Sequence, residues 1–488
     1  MGASVATETL PTRLFINGEQ LDAGDGRTHD VVNPATEEVI ASVAAAGEGD
    51  VDRAVRSARA TFESDAWRKM SARQRGEAVR RLGDLILKNK DELARLETLN
   101  NGKPLFESAI DVRLAAATYH YYGGWADKIH GETIPVDGPF LNYTLREPLG
   151  VVGAIVPWNF PISLASWKVA PALACGNTVV LKPSELTPFT AIRMAELAIE
   201  AGLPSGAFNA VPGAGSVAGT ALVRHSQVDK IAFTGSTEVG KQVMRDAAGT
   251  VKKVSLELGG KSPNIIYADA DLEAAARGAL TGIFYGKGEV CAAGSRLLVE
   301  ETAAEEVRTR ILDRVRKMVA GDPLDPKTRL GALVSKTQME RVLGYIDRGK
   351  KEGASLLSGG ERSPVNGKGY FVQPTVFEGV ERDMTLAREE IFGPVLAMMT
   401  FRDGIAGAAD LANATIYGLA AGIWTRDIKK ALRTAREIRA GTVWVNTYNM
   451  YDAASPFGGF KQSGFGRDLG VHALEGYTQV KSVWVDLS

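Results

Sequence analysis

The sequence predicts an α/β protein of two helix-covered parallel sheets with a small additional β element. Three observations carry this. Between about residues 150 and 258, short β-rich runs alternate with helical stretches, a second series of the same kind begins near residue 264, and two further alternating segments belong to neither. A chain of 488 residues has room for two or three domains with sizeable cores.

In chain order, residues 70 to 128 have a helical pattern. Leu82, Leu85 and Ile86 fall on one face, and Arg80, Lys88 and Lys90 on the other as a solvated surface. The first series predicts strands at 151–156, 178–181, 208–211, 231–233 and 254–258. The second predicts them at 264–267, 296–299, 395–401, 422–425 and 442–445. Two such units in one chain imply a cleft between them, where ligands usually bind. Residues 142–145 and 480–485 alternate in the manner of a small sheet whose open edge another subunit covers.

Composition excludes several classes of function. Lys plus Arg number 57 and Asp plus Glu 58, with no basic stripe, which disfavours nucleic-acid binding. Two cysteines cannot build a disulfide framework, so a reducing, intracellular setting is expected. Residues 1–6 lack a signal-peptide pattern, and they differ from a myristoylation start at Ala6. No apolar run reaches the eighteen or so residues of a membrane span, so a cytoplasmic protein without membrane association is expected.

Cys291 lies in Gly286-Lys287-Gly288-Glu289-Val290-Cys291-Ala292-Ala293-Gly294, where small neighbours leave room around the sulfur. That setting suggests a nucleophile, provided something lowers the ordinary thiol pKa of about 8.5 or takes the proton. Glu257, at the end of the alternating run before Gly259-Gly260, is the nearest candidate base. Taken alone, it reads equally well as a solvent-facing residue of a half-buried strand. The five histidines are scattered without metal-ligand spacing and Cys175 lacks a partner, so no metal site is expected and the histidines read as structural or surface residues.

Two glycine-rich turns compete for a dinucleotide. Gly213-Ala214-Gly215-Ser216-Val217-Ala218-Gly219 has imperfect spacing. Phe233-Thr234-Gly235-Ser236-Thr237, which follows a strand and opens a helix, is preferred because it offers backbone N–H groups and a hydroxyl to a phosphate. Lys182 and Glu185, just after a strand, have the chemistry to grip a ribose. The carboxylate would repel a 2′-phosphate, which favours NAD while leaving use of NADP open.

Seven separated stretches together resemble the hydrolytic, NAD(P)-dependent branch of the aldehyde dehydrogenase superfamily. They are Pro157-Trp158-Asn159-Phe160-Pro161, Leu181-Lys182-Pro183-Ser184-Glu185, Phe233-Thr234-Gly235-Ser236-Thr237, Leu256-Glu257-Leu258-Gly259-Gly260-Lys261, the run from Glu289 through Cys291 to Arg296, Glu390-Ile391-Phe392-Gly393-Pro394-Val395, and the run from Pro456 through Phe457 to Gly464. The resemblance implies a Rossmann-like NAD-binding domain (1–127 and 149–258), an α/β catalytic domain (259–462), and an oligomerisation element (128–148 and 475–488) that builds a homodimer or homotetramer. It implies Cys291 as nucleophile, Glu257 as general base and Asn159 as oxyanion donor. Lys182, Glu185, Ser236, Trp158, Gly235, Leu258, Glu390 and Phe392 would contact the dinucleotide.

By the same resemblance, Phe160, Leu164, Trp167, Val290, Tyr451 and Phe457 would line the aldehyde tunnel. That lining suits aliphatic or aromatic aldehydes, with betaine aldehyde a further candidate through cation–π attraction. The chain departs from many relatives at Gly286-Lys287, where they read Asn-Gln, and at Asp468, where they commonly carry Glu. Lys287 then reads either as a solvated loop charge or as a cation that lowers the thiol pKa, and a second-base role at 468 is in doubt. Three alternatives remain: a CoA-acylating semialdehyde dehydrogenase, a plain cysteine hydrolase, and a catalytically silent binding protein on the same fold.

Overall fold

The computed structural model describes residues 10–488, so the readings of residues 1–6 fall outside it. Five strands form the centre of the first sheet: β1 (Val151–Ile155), β2 (Thr178–Lys182), β3 (Phe208–Ala210), β4 (Lys230–Thr234) and β5 (Lys253–Glu257). They lie parallel in the order β5-β4-β1-β2-β3. β1 to β4 are buried along their whole length, as strands covered on both faces are.

Two antiparallel strands that the sequence reading did not assign, Leu14–Ile16 and Glu19–Leu21, extend the sheet beyond β3. Gly464–Phe465 closes its other edge against β5. This last pairing needs a glycine, because Gly464 has φ of 118° and a Cβ there would lie 1.9 Å from the Leu256 carbonyl oxygen.

The helical stretch expected over 70 to 128 is three helices, Ala72–Lys88, Lys90–Asn101 and Leu105–Gly123. Gly102, left-handed at φ 80°, caps the second, and Pro104 precedes the third, where its missing N–H does no harm. Leu82 and Ile86 are buried and Arg80 and Lys88 exposed, as the pattern predicts, whereas Leu85 and Lys90 are both half-buried.

The second sheet contains β6 (Pro263–Ile266), β7 (Arg296–Glu300), β8 (Thr375–Glu378), β9 (Val395–Phe401), β10 (Ala420–Trp424) and β11 (Thr442–Val445). They run parallel in the order β8-β9-β7-β6-β10-β11, with Ser355–Ser358 antiparallel at the β8 edge. Phe140–Pro148 and Thr478–Asp486 pair antiparallel and, with Thr133–Ile134, make the small third sheet. Among the described residues, no helix is long and apolar enough to cross a membrane.

In the first sheet the chain steps outward from β1 to β2 to β3, then returns to the far side of β1 as β4. A crevice therefore opens at the carboxyl ends of β1 and β4. Residues 258–262 lead directly from β5 to β6, so this carboxyl edge faces the amino edge of the second sheet. Every residue of the helix after β1, Pro161–Ala174, is buried. Its Lys168 tolerates burial because Nζ lies 2.7 Å from Asp468 Oδ2, which also ties the C-terminal segment to the first sheet. Lys168→Met strands that carboxylate and is expected to lower the unfolding free energy in urea by about 3–5 kcal/mol, much of it recovered in Lys168→Met/Asp468→Asn.

Candidate active site

Two cavities meet at Cys291. The first, about 330 Å³, is bounded by Phe160, Leu164, Trp167, Val290, Tyr451 and Phe457, the six residues expected there. Trp167, Tyr451 and Phe457 pack mutually edge-on or tilted, with ring centroids 5.4 to 6.1 Å apart, and Phe160 stacks on Tyr285 at 6.3 Å. The second, about 170 Å³, is bounded by Trp158, Gly235, Ser236, Leu258, Glu390 and Phe392. Only Leu164 and Cys291 border both.

Cys291 sits in the loop between the helix Leu272–Phe284 and β7, at the amino end of that strand. Its thiol is pushed up to about 12, first by burial and then by the charges of Glu390 and Glu257. No cation offsets this. Lys287 is neither a solvated loop charge nor a partner of the sulfur: it is 2 % exposed, with Nζ 2.9 Å from Glu289 Oε2 and 2.6 Å from Asn101 Oδ1. Its charge is neutralised by Glu289, which corrects both sequence readings.

Glu257 ends β5 and is 4 % exposed, which overturns the solvent-facing reading. Both carboxylate oxygens lack a hydrogen-bond partner, and a Cβ at Gly458 would lie 2.7 Å from Oε1. Burial raises its pKa well above the carboxylate range; Asp468 adds to the shift, and Lys168 and Arg467 oppose it. Asp468 is itself held in the buried ion pair with Lys168. Asn159 is buried in the loop after β1, with Nδ2 donating to the Glu289 carbonyl at 2.9 Å and Oδ1 unpartnered.

The second cavity is assembled by backbone. Glu390 Oε1 accepts from Gly260 N–H at 3.0 Å, and Gly259 makes room, since a Cβ there would lie 2.2 Å from Oε2. Burial raises Glu390 to about 7. Phe392 holds a left-handed φ of 61°, its carbonyl accepts from Gln338 Nε2 at 2.6 Å, and its ring meets Trp158 edge-on at 5.2 Å. Ser236 caps the helix Thr237–Ala247 by accepting from Val239 N–H, so that helix N-terminus borders the cavity.

Lys182 and Glu185 lie outside both cavities, one strand along the same sheet edge, with Nζ 3.5 Å from Oε2. The competing glycine turn abuts them: Lys182 Nζ lies 4.0 Å from the position of a Cβ at Gly215. None of the five histidines borders either cavity; His29 Nε2, for example, lies 2.8 Å from the Glu185 carbonyl. Among the described residues, no group of three or more His, Cys, Asp or Glu could hold a metal.

Sequence reasoning missed Ile110 and Leu114 from the helix Leu105–Gly123, Tyr285 and Tyr448 in the apolar cavity, and Gln338 and Arg341 in the other. Tyr285 adjoins the nucleophile run and could have been found there. The others arrive from elements remote in sequence and carry no local signal.

The aldehyde dehydrogenase family profile matches residues 21–483. Aldehyde dehydrogenase 1A1 of Gallus gallus is 50% identical over 481 residues, covering 98% of this chain and 94% of that one. The NAD+ complex of an aldehyde dehydrogenase from Bacillus cereus superposes with a TM-score of 0.96 at 50% identity, covering 98% of this chain and 97% of that one. A P. syringae indole-3-acetaldehyde dehydrogenase mutant, in complex with NAD+ and IAA, gives a TM-score of 0.97 at 47% identity, covering 99% and 98%.

A thiol held near 12 is almost wholly protonated at neutral pH. Iodoacetamide alkylation of Cys291 in the cofactor-free protein is therefore expected to rise about tenfold per pH unit from pH 7 to 9. A rate that levels off below pH 8 would show that the thiol is activated at rest.

Proposed function

This chain belongs to the aldehyde dehydrogenase family, and on that premise we propose that it oxidises an apolar aromatic or aliphatic aldehyde to its carboxylic acid with NAD+, through a thioester on Cys291. The observation that carries the reading is the position of Cys291 where an apolar cavity meets one bordered by a glycine turn and a helix N-terminus.

The second cavity suits a dinucleotide. Trp158 and Phe392 offer ring faces and edges, Ser236 heads the helix, and the missing Cβ at Gly259 frees space beside Glu390. Lys182 and Glu185 would hold the adenosine ribose, and the Glu185 carboxylate favours NAD+ over NADP+. When bound, NAD+ accepts the hydride that leaves the substrate carbon.

The residues of the chain do the rest. Cys291 gives up its thiol proton to Glu257, which passes it to solvent, and the sulfur adds to the aldehyde carbon; the resulting oxyanion is held by the Asn159 side-chain amide and the Cys291 backbone N–H, and one such donor is worth roughly 3 kcal/mol in the transition state. Loss of hydride leaves an acyl group on sulfur. Glu257, whose oxygens are unpartnered, takes a proton from water as the water's oxygen bonds to the acyl carbon. The C–S bond then breaks to release the acid and restore the thiolate. Retention of this base favours hydrolysis over transfer to CoA.

The apolar cavity also argues for the substrate. Its one carboxylate, Asp111, is paired with Lys103, whose Nζ lies 4.3 Å from the centroid of the Phe160 ring. With Asp111 already paired in this way, the lining offers the quaternary ammonium of betaine aldehyde no free carboxylate. An aromatic substrate stacks on rings alone, and the similar indole-3-acetaldehyde dehydrogenase supports that class.

The small sheet exposes Phe140, Val480 and Trp484 on one face and Leu141 and Leu145 on the other, apolar groups suited to another copy in a homodimer or homotetramer.

A panel of aromatic, straight-chain and betaine aldehydes, assayed for NADH without CoA, is expected to rank aromatic substrates first and to fall silent in Cys291→Ala. Silence of the wild-type protein across the panel would sink the reading. Glu257→Gln is expected to keep a slower burst of NADH while losing steady turnover. Because burial raises the pKa of Glu257 and so favours its protonated form as pH falls, wild-type turnover should rise with pH; a flat profile would remove the base role.

A further inference from the structure

Lys287 is a fully buried cation that the steps above do not use. It stands at the middle of three consecutive left-handed residues, Gly286 (φ 56°), Lys287 (φ 62°) and Gly288 (φ 73°). Glycine adopts this conformation freely, whereas a residue with a Cβ is strained there and persists only when its surroundings over-determine it. The surroundings do so: Nζ donates to Asn101 Oδ1 at 2.6 Å and to the Asn101 carbonyl at 3.0 Å, and lies 2.9 Å from Glu289 Oε2.

Both partners lead to the same place. Asn101 Nδ2 donates to the Trp158 carbonyl at 2.8 Å, and the Glu289 carbonyl accepts from Asn159 Nδ2 at 2.9 Å. Glu289 is anchored in turn by Val334 N–H at 3.0 Å. The lysine therefore braces residues 158 and 159 from two sides, through the side chain of Asn101 and the backbone of Glu289. An amide nitrogen has two hydrogens in a fixed plane, so when one is committed to the Glu289 carbonyl the direction of the other is set.

We propose that Lys287 is a positioning residue for the oxyanion-holding amide of Asn159, acting through Asn101 and Glu289. The proposal rests on the dehydrogenase reading for the role of Asn159. It departs from both sequence readings of this lysine, because the charge works on the oxyanion donor and not on the thiol or the solvent.

The test uses the full chain and three variants: Lys287→Met, Lys287→Met/Glu289→Gln and Lys287→Arg. The double variant is read if the single one fails to fold with Glu289 stranded. Two reactions of Cys291 need no cofactor. Acylation by p-nitrophenyl acetate passes through an oxyanion, while alkylation by iodoacetamide displaces iodide at a saturated carbon and forms none.

Ester acylation and kcat for the aldehyde are expected to fall roughly ten- to hundredfold, while alkylation stays within about twofold and KM for the aldehyde within about threefold. Lys287→Arg, which keeps the cation, should recover most of the loss. Unchanged acylation in a folded variant would overturn the proposal, as would acylation and alkylation falling together, which marks a displaced loop. If the wild-type protein oxidises no aldehyde but the ester shows this pattern, the positioning role stands and the dehydrogenase reading alone fails.

Discussion

Between Glu257, which ends β5, and Pro263, which begins β6, the chain has only the segment 258–262 in which to change sheets. Fully extended, that link spans about 20 Å, so the carboxyl edge of the first sheet cannot move far from the amino edge of the second. Each edge alone would be an ordinary set of loop attachments. Held together, they set the loops after β1 and β4 and the end of β5 against the loops before β7 and β9, and those loops carry Asn159, Ser236, Glu257, Cys291 and Glu390. The Gly259-Gly260 turn in the link contributes directly, through the Gly260 N–H and the space left beside Glu390.

Closing the two edges together also buries the side chains between them, and the electrostatics of the site follow from that. Burial is the largest influence on Cys291, Glu257 and Glu390, and in each case it favours the neutral form. The same low-dielectric surroundings would strengthen any fixed dipole aimed at a charge that develops there.

Buried lysines hold the walls in place around that environment. Lys103 pairs with Asp111 behind Phe160, Lys168 with Asp468 beneath Glu257, and Lys287 with Glu289 beside Asn159. Pairs of this kind add little net stability compared with apolar packing, but breaking one leaves a stranded charge, so each penalises displacement of the element that carries it.

Much of the architecture was legible in the sequence. Strands buried on both faces read as apolar runs, and 142–145 and 480–485 revealed their alternation; both signals lie within a few consecutive residues. Cys291 and Glu257 stood out for the same reason, with small residues around one and a glycine pair after the other. The edge strands Leu14–Ile16 and Gly464–Phe465 were not legible, because three and two residues make no period. Nor were Ile110 and Leu114 in the cavity wall, or the surroundings of Lys287. A charge between two glycines looks like a loop in solvent, and only tertiary structure brings Asn101 to within 2.6 Å of it and buries both. Local pattern determined which residue types could do chemistry. Burial and partners, which depend on segments hundreds of residues apart meeting in space, decided the protonation and orientation in which they stand.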